Sequence, residues 1–347
     1  MPQLSFESGT AYDLFISLWV LHHPVRFGLR PSWAAGVRSR LPPEQRAFLE
    51  RAQSFLPVPL TWLYNLLPAC KSAAGALATL AELPAAARLS ALCLSEETAA
   101  EVVYRLQRIA DQGAWSEDDL EALRQGFHFG ARVMPREAAG RLCAAWAAPE
   151  AFGEQILAAL QAYFQAFFVE EEGRILPVLE AGLRLAQEKA RSVSLPALLD
   201  ELSRGVNFES YLKIPEIVLA PSYWASPLVI YARVAPQTML LVFGSRPEQE
   251  TLVPGEQLPP DLVLVLKSLA DSTRLRILRY LAGQPLTPTE LARRLRLRPP
   301  TVSHHLNSLR LAGLVQVILQ PEGERRYTLR REAVQGVMEH LEKFLGK

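Results

Sequence analysis

Residues 287–329, TPTELARRLRLRPPTVSHHLNSLRLAGLVQVILQPEGERRYTL, decide the fold. Thr287-Pro288-Thr289-Glu290 is a capping box with proline at the first helical position. Threonine hydroxyl and glutamate carboxylate each take a backbone N–H that the first turn leaves unpaired. The helix this opens is predicted to reach about Arg296, leaving Leu297-Arg298 as a tight turn. Pro299-Pro300 then start a second helix that runs to Ala312 and stops at Gly313. Residues 314–320 and 325–329 read as strands flanking a turn, Pro321-Glu322-Gly323-Glu324. The order is helix, short turn, helix, hairpin: a helix-turn-helix with a wing.

The second helix resolves by geometry. At about 100° per residue, Leu306 and Leu309 fall within about 40° of Val302, so these three face a core. Pro300, His304 and Asn307 project from the other side, with Thr301, Ser303 and Ser308 on the flanks. Short polar side chains suit a helix laid in a major groove about 12 Å wide, where base edges offer donors and acceptors. His305 sits nearer the core edge, where packing or a phosphate is the expected contact. Arg325, Arg326, Arg330 and Arg331 are read as a cluster around the hairpin's glycine tip, placed for phosphates or an adjacent minor groove. Thr289, Arg298, Arg310 and Tyr327 complete the expected duplex-contacting set. An ordinary solvated helix would need the capped helix, tight turn, polar face and basic hairpin to coincide without cause.

Working outward, residues 261–270 form an apolar helix, and Asp271 caps the next, which carries Leu275, Ile277, Leu278 and Leu281 and ends near Gly283. Residues 331–345 form a last amphipathic helix. The portions SLADSTRLRILRYL (268–281) and TVSHHLNSLRLAGLV (301–315) resemble the ArsR family of winged-helix repressors, a likeness covering roughly the last ninety residues. It implies a homodimeric repressor with Leu262, Leu266, Met338, Leu341 and Phe344 at the seam, and two recognition helices reading a two-fold symmetric operator. Two departures matter. Arg298 and Pro299 stand where many members carry a small polar residue and glutamine, removing a side-chain cap and an amide that would read a base. The helix before the turn lacks the cysteines of the metal-sensing members, and Glu339, His340 and Glu342 are a thin echo of the family's other metal site. No metal or other cofactor is therefore expected, and a metal-responsive sensor stands as the alternative.

Charge divides the chain in the same place. From Asp261 onward there are 15 Lys and Arg against 8 Asp and Glu, and before it 22 against 28, within a net charge of +1. A basic module joined to an acidic one points to double-stranded DNA as a partner of the C-terminal part alone.

The first 200 residues read as helices punctuated by Pro42-Pro43, Pro84, Pro135, Pro149 and Pro177. Ile156, Leu157, Leu160, Phe164, Phe167 and Phe168 recur at helical spacing. Residues 216–220, 228–234 and 238–243 are short β-rich runs, read as a small antiparallel sheet or hairpin. The fold class is mainly α with small β: a helical N-terminal domain (1–245) ending in short antiparallel strands, a proline-rich linker (246–260) and a winged helix-turn-helix (261–347). The openings LSFESGTAYDLFISLWVLHHPVRFGLRPSW and PSYWASPLVIYARV loosely resemble the helical domain that precedes the winged helix in some longer ArsR-like regulators. Such a domain has room for a small apolar effector bordered by Trp19, Phe55, Trp62, Tyr64, Tyr163, Phe164 or Phe168, although aromatics filling a core are commoner. The other N-terminal reading is a protein-interaction module tethered to DNA. His22-His23 near Arg26 is a possible ligand pair or a helix end at the surface, and Glu170-Glu171-Glu172 reads as solvated helix. Cys70, Cys93 and Cys143, far apart, suit buried thiols rather than disulfides or zinc. The sequence lacks GxSxG, GxGxxG, GxxxxGK[ST], HExxH and CxxC, so no enzyme is expected. Prolines break the longest uncharged stretch, residues 52–70, and the start carries no basic cluster before an apolar run. A cytoplasmic protein that does not engage membranes is expected.

Overall fold

The computed structural model describes residues 2–127, 133–208, 211–247, 250, 260–319 and 325–344. Its N-terminal helices are α1 Thr10–His22, α2 Pro31–Arg38, α3 Pro43–Ala52, α4 Leu60–Tyr64, α5 Ala73–Glu82 and α6 Ala85–Cys93. After them come α7 Ala100–Gln112, α8 Glu117–Gly126, α9 Arg136–Ala147, α10 Pro149–Tyr163, α11 Val169–Ser192 and α12 Leu195–Leu202. Proline opens several of these where its missing N–H costs nothing, as at Pro31, Pro43 and Pro149, whereas Pro177 lies inside α11. One wide π-type turn, Phe164–Phe168, joins α10 to α11. Apolar on nearly every side, α1 is buried along almost its whole length. No helix among the described residues is long and apolar enough to cross a membrane.

A four-stranded sheet of β1 Gln3–Phe6, β3 Glu216–Ser222, β4 Val229–Ala235 and β5 Thr238–Gly244 divides the N-terminal half into two cores. Its order is β1-β3-β5-β4. Antiparallel pairing was the expectation, and the sheet corrects it: β1 with β3 and β3 with β5 run parallel, and only β4 with β5 is antiparallel. The cause is burial on both faces. Val218, Ala220, Leu240 and Val242 enter the core built by α1 to α11, while Ile217, Leu219, Met239 and Leu241 enter a second core beneath α12. Strands with two buried faces read as unbroken apolar runs, which is the parallel signature.

The C-terminal elements follow the sequence closely: α13 Pro260–Leu269, α14 Ser272–Leu281, α15 Pro288–Leu295, α16 Pro299–Leu311, β6 Val315–Leu319, β7 Arg325–Leu329 and α17 Arg331–Phe344. Residues 248–249 and 251–259 of the expected linker, residue 320 of the expected strand and residues 321–324 of the expected wing turn lie outside the described residues. The short strand β2 Val206–Asn207, from the N-terminal half, pairs in parallel with β6, so the wing's sheet runs β2-β6-β7. Val317 and Leu319 of the wing are buried in the second N-terminal core, and Leu311 of α16 in the first. Fully burying one such side chain contributes about 1.5–3 kcal/mol. The module is therefore packed against the N-terminal half along one flank.

Candidate nucleic-acid interface

The interface starts from two caps. Asp271 accepts the Arg274 N–H at 2.8 Å, which holds its carboxyl below the usual carboxylate range. In the capping box, the Glu290 N–H donates to Thr287 Oγ1 at 3.2 Å and the Thr287 N–H to Glu290 Oε2 at 2.8 Å. That second bond, with Arg326 nearby, keeps the Glu290 carboxyl ionised well below its ordinary value. Arg296 closes α15 in the left-handed region (φ 58), and Leu297-Arg298 carry the chain into α16.

Val302, Leu306 and Leu309 are fully buried against Ile277, Leu281, Leu291 and Leu314, as the helical angles require. The opposite face is open. Pro300, Thr301 and His304 are exposed, and Ser303, Asn307 and Ser308 are half-buried beside them. The Ser308 hydroxyl donates to the His304 carbonyl at 3.2 Å, which leaves His304 and Asn307 as the outward hydrogen-bonding side chains of this turn. Arg298 caps nothing with its side chain and is exposed, as is Thr289. Arg293 and Arg296 were missing from the expected set. Both are exposed, and among the described residues no ion pair joins Arg293, Arg296 or Arg298. The alternating arginines of RRLRLR were the sequence signal for them.

Other expected contacts face inward. His305 is close to Asp271 (3.9 Å), and burial pushes its imidazole below the ordinary value. Arg310 points toward Tyr231 of β4 and Tyr327 of β7, where loss of water lowers its guanidinium's pKa. Tyr327 packs against both the second N-terminal core and the module's own core, and its backbone exchanges hydrogen bonds with Leu286 (2.8 and 2.9 Å). Arg326 lies 3.6 Å from Glu290 and donates to the Pro285 carbonyl at 3.4 Å, while Arg325 sits toward Tyr211 and Arg310. Arg330 and Arg331 were expected at the wing tip and are instead at its base, donating to the carbonyls of Gly313 (3.5 Å) and Ala282 (2.8 Å). Arg330 directly follows β7, and its backbone N–H donates to the Leu314 carbonyl, which pins it there.

Of the expected seam residues, Leu266 is 40% and Met338 60% exposed, and Leu341 is half-buried. Leu262 is only 3% exposed, its side chain taken up by the fold of the chain itself. The side chains of Phe344 and His340 lie outside the described residues. No group of three His, Cys, Asp or Glu residues placed to hold a metal occurs among the described residues.

Three N-terminal expectations change. Phe55, Tyr163 and Phe168 are fully buried and Trp19, Trp62 and Tyr64 pack against the same core, so these aromatics fill space, whereas Phe164, also packed on that core, borders an open apolar groove with Leu77 and Gln161. His22 and His23 are half-buried. Each uses Nδ1 on the carbonyl four residues back, at 2.8 and 3.0 Å, and burial lowers the His22 imidazole to about 4. Of the three glutamates, only Glu170 is solvated: Glu171 accepts from Trp224 Nε1 (3.0 Å) and pairs with Arg174, and Glu172 accepts from the Ala73 N–H (3.2 Å) and from Thr10. Cys93 and Cys143 are buried and unpaired, their thiols pushed up to about 12 and about 11 by loss of water, and Cys70 is half-buried.

Residues 271–317 match the family described as "bacterial regulatory protein, arsR family". No curated protein and no solved structure matches the chain. The C-terminal part is an ArsR-type helix-turn-helix, the kind of module with which transcription regulators bind DNA, joined to an N-terminal helical domain.

Proposed function

We propose that this chain with its ArsR-type module is a homodimeric, sequence-specific transcriptional repressor whose N-terminal half receives a small molecule or a partner. The observation that carries the reading is the face of α16. Three buried anchors fix the helix, Pro300, Thr301, His304 and Asn307 lie on the side away from them, and Arg293, Arg296 and Arg298 of the same helix-turn-helix are exposed. The arginines take phosphates and set position, while His304 and Asn307 read base edges. Arg310 and Tyr327 are left out of this set because they face the N-terminal half. The exposed Leu266 and Met338, on helices α13 and α17 that pack together, supply the two-fold seam. A binding selection on genomic fragments tests the reading: it is expected to enrich a two-fold symmetric site with half-sites about 10–10.5 base pairs apart. Enrichment of no sequence above background, with the chain eluting as a monomer, would overturn it. Ligand control works through a shift of a few kcal/mol between duplex-competent and duplex-poor arrangements.

A further inference from the structure

The flank along which the wing meets the N-terminal half holds a partly open cavity of about 190 Å³. Leu199 of α12, Val206 of β2, Phe208 and Leu212 give it apolar walls, and Asp200 and Gln316 meet across it. The two belong to different halves of the molecule: Gln316 is on wing strand β6, and its Nε2 donates to Asp200 Oδ1 at 2.8 Å. Beside this bond the Val317 N–H donates to the Gly205 carbonyl at 2.9 Å, and Val206 and Asn207 pair with Val317 and Ile318. Gly205 has φ +92, and a Cβ there would lie 2.7 Å from Arg330 Cδ, so the close approach of the two halves needs glycine. The cavity thus lies on the strip where the N-terminal half holds the wing.

We infer that this cavity is an effector site for a small primary amine carried on a compact aromatic or branched hydrocarbon. The inference rests on the regulator reading above for its consequence, but not for the binding itself. Size comes from the volume, since an apolar cavity of about 150 Å³ takes a benzene ring. Charge comes from Asp200, the one ionisable side chain among the described lining residues, which is bonded there to a neutral amide. A bound ammonium donates to the Asp200 carboxylate, a charge-assisted bond about twice as strong as the neutral one it replaces. Gln316 is displaced in the exchange, and β6 loses one of its ties to α12. Binding and the loss of this tie are one event.

Benzylamine is the probe, titrated calorimetrically into the full chain, with benzyl alcohol and benzoate as isosteres lacking the positive charge. The expected result is one benzylamine per chain with a Kd of about 1 mM, in keeping with eight heavy atoms. Both isosteres, and benzylamine with Asp200→Asn, bind at least about tenfold more weakly. Gln316→Ala removes the internal competitor and tightens benzylamine severalfold, and it serves should the cavity-filling Leu212→Trp fail to fold. Equal binding of benzylamine and benzoate, or an unchanged affinity in Asp200→Asn, overturns the site. Saturating benzylamine is expected to weaken duplex binding at least about threefold in the wild type and not in Asp200→Asn; an unchanged duplex affinity, with Asp200-dependent amine binding, overturns the coupling. A chain that binds benzylamine in this pattern but no duplex under any condition contradicts the regulator reading and leaves the site standing.

Discussion

The two halves of the molecule treat charge in opposite ways. In the N-terminal half several arginines are consumed by the fold. Arg88, almost fully buried, donates to the carbonyls of Leu80, Ala81, Leu83 and Gly153 and pairs with Glu154, while Arg105 and Arg108 close on Asp118 and Asp119. In the C-terminal module Arg293, Arg296 and Arg298 are exposed, with no ion pair among the described residues. Acids differ likewise. Asp13 is buried in α1, where its Oδ1 accepts from Ser222 Oγ (2.8 Å) and the Trp224 N–H (2.9 Å) and its Oδ2 has no partner among the described residues. Loss of water pushes it up to about 7, whereas the caps Asp271 and Glu290 are held low. Paired charge builds structure, and positive charge left unpaired on a rigid face is available to a polyanion.

The contrast breaks most visibly at Arg88. Arg88→Ala strands four backbone carbonyls in the interior and is expected to cost about 3–5 kcal/mol, read from urea unfolding. No comparable change is expected for any one of Arg293, Arg296 or Arg298, whose removal should leave the urea midpoint in place. A midpoint equally insensitive to Arg88→Ala would erase the distinction.

Asp13 gives the next effect. Its folded value of about 7 lies above the ordinary 3.8, so the native state holds the proton more firmly than the unfolded chain. Stability from this group is full below about pH 4, declines as pH rises toward 7, and is gone above it. Asp13→Asn keeps the acceptor to Ser222 and Trp224 without the buried charge, and at pH 8 it is expected to exceed the wild type by up to about 4 kcal/mol. The gap should close by pH 4 in paired melting curves. A constant gap across that window would show that Asp13 does not titrate there.

Replacing Arg293, Arg296 and Arg298 together with alanine sharpens the other side. Duplex affinity should fall for every sequence, with the slope of log K against log salt flatter by about 0.9 for each phosphate no longer neutralised. The smallest effect is the most selective: His304→Ala or Asn307→Ala should reduce discrimination between operator and mismatched duplex by about 1–3 kcal/mol, with little change in salt dependence. Arginine changes that alter base preference, paired with a silent His304 and Asn307, would reverse these roles.

Much of the C-terminal module was legible because its determinants are local. The box at Thr287 and Glu290, the cap at Asp271 and the spacing of Val302, Leu306 and Leu309 each act within one or two turns of chain. What the sequence hid is non-local. Two residues, Val206 and Asn207, carry no strand signal alone and become a strand by pairing with β6 more than a hundred residues later. Arg310 and Leu311 look like the solvated end of a recognition helix until β4 and the first core close over them. The four residues of β1 were invisible for the same reason. Glu171 and Glu172 read as solvated because their partners, Trp224, Thr10 and Ala73, lie on distant segments.

Amide hydrogen exchange of the full chain, with and without a saturating duplex, addresses the central claim most directly. Binding on the open face of α16 is expected to slow exchange in residues 288–308 and at the start of β7 near 325–326, leaving α1 to α11 unchanged. Protection confined to the N-terminal helices, with residues 299–308 exchanging as in the free protein, would contradict it.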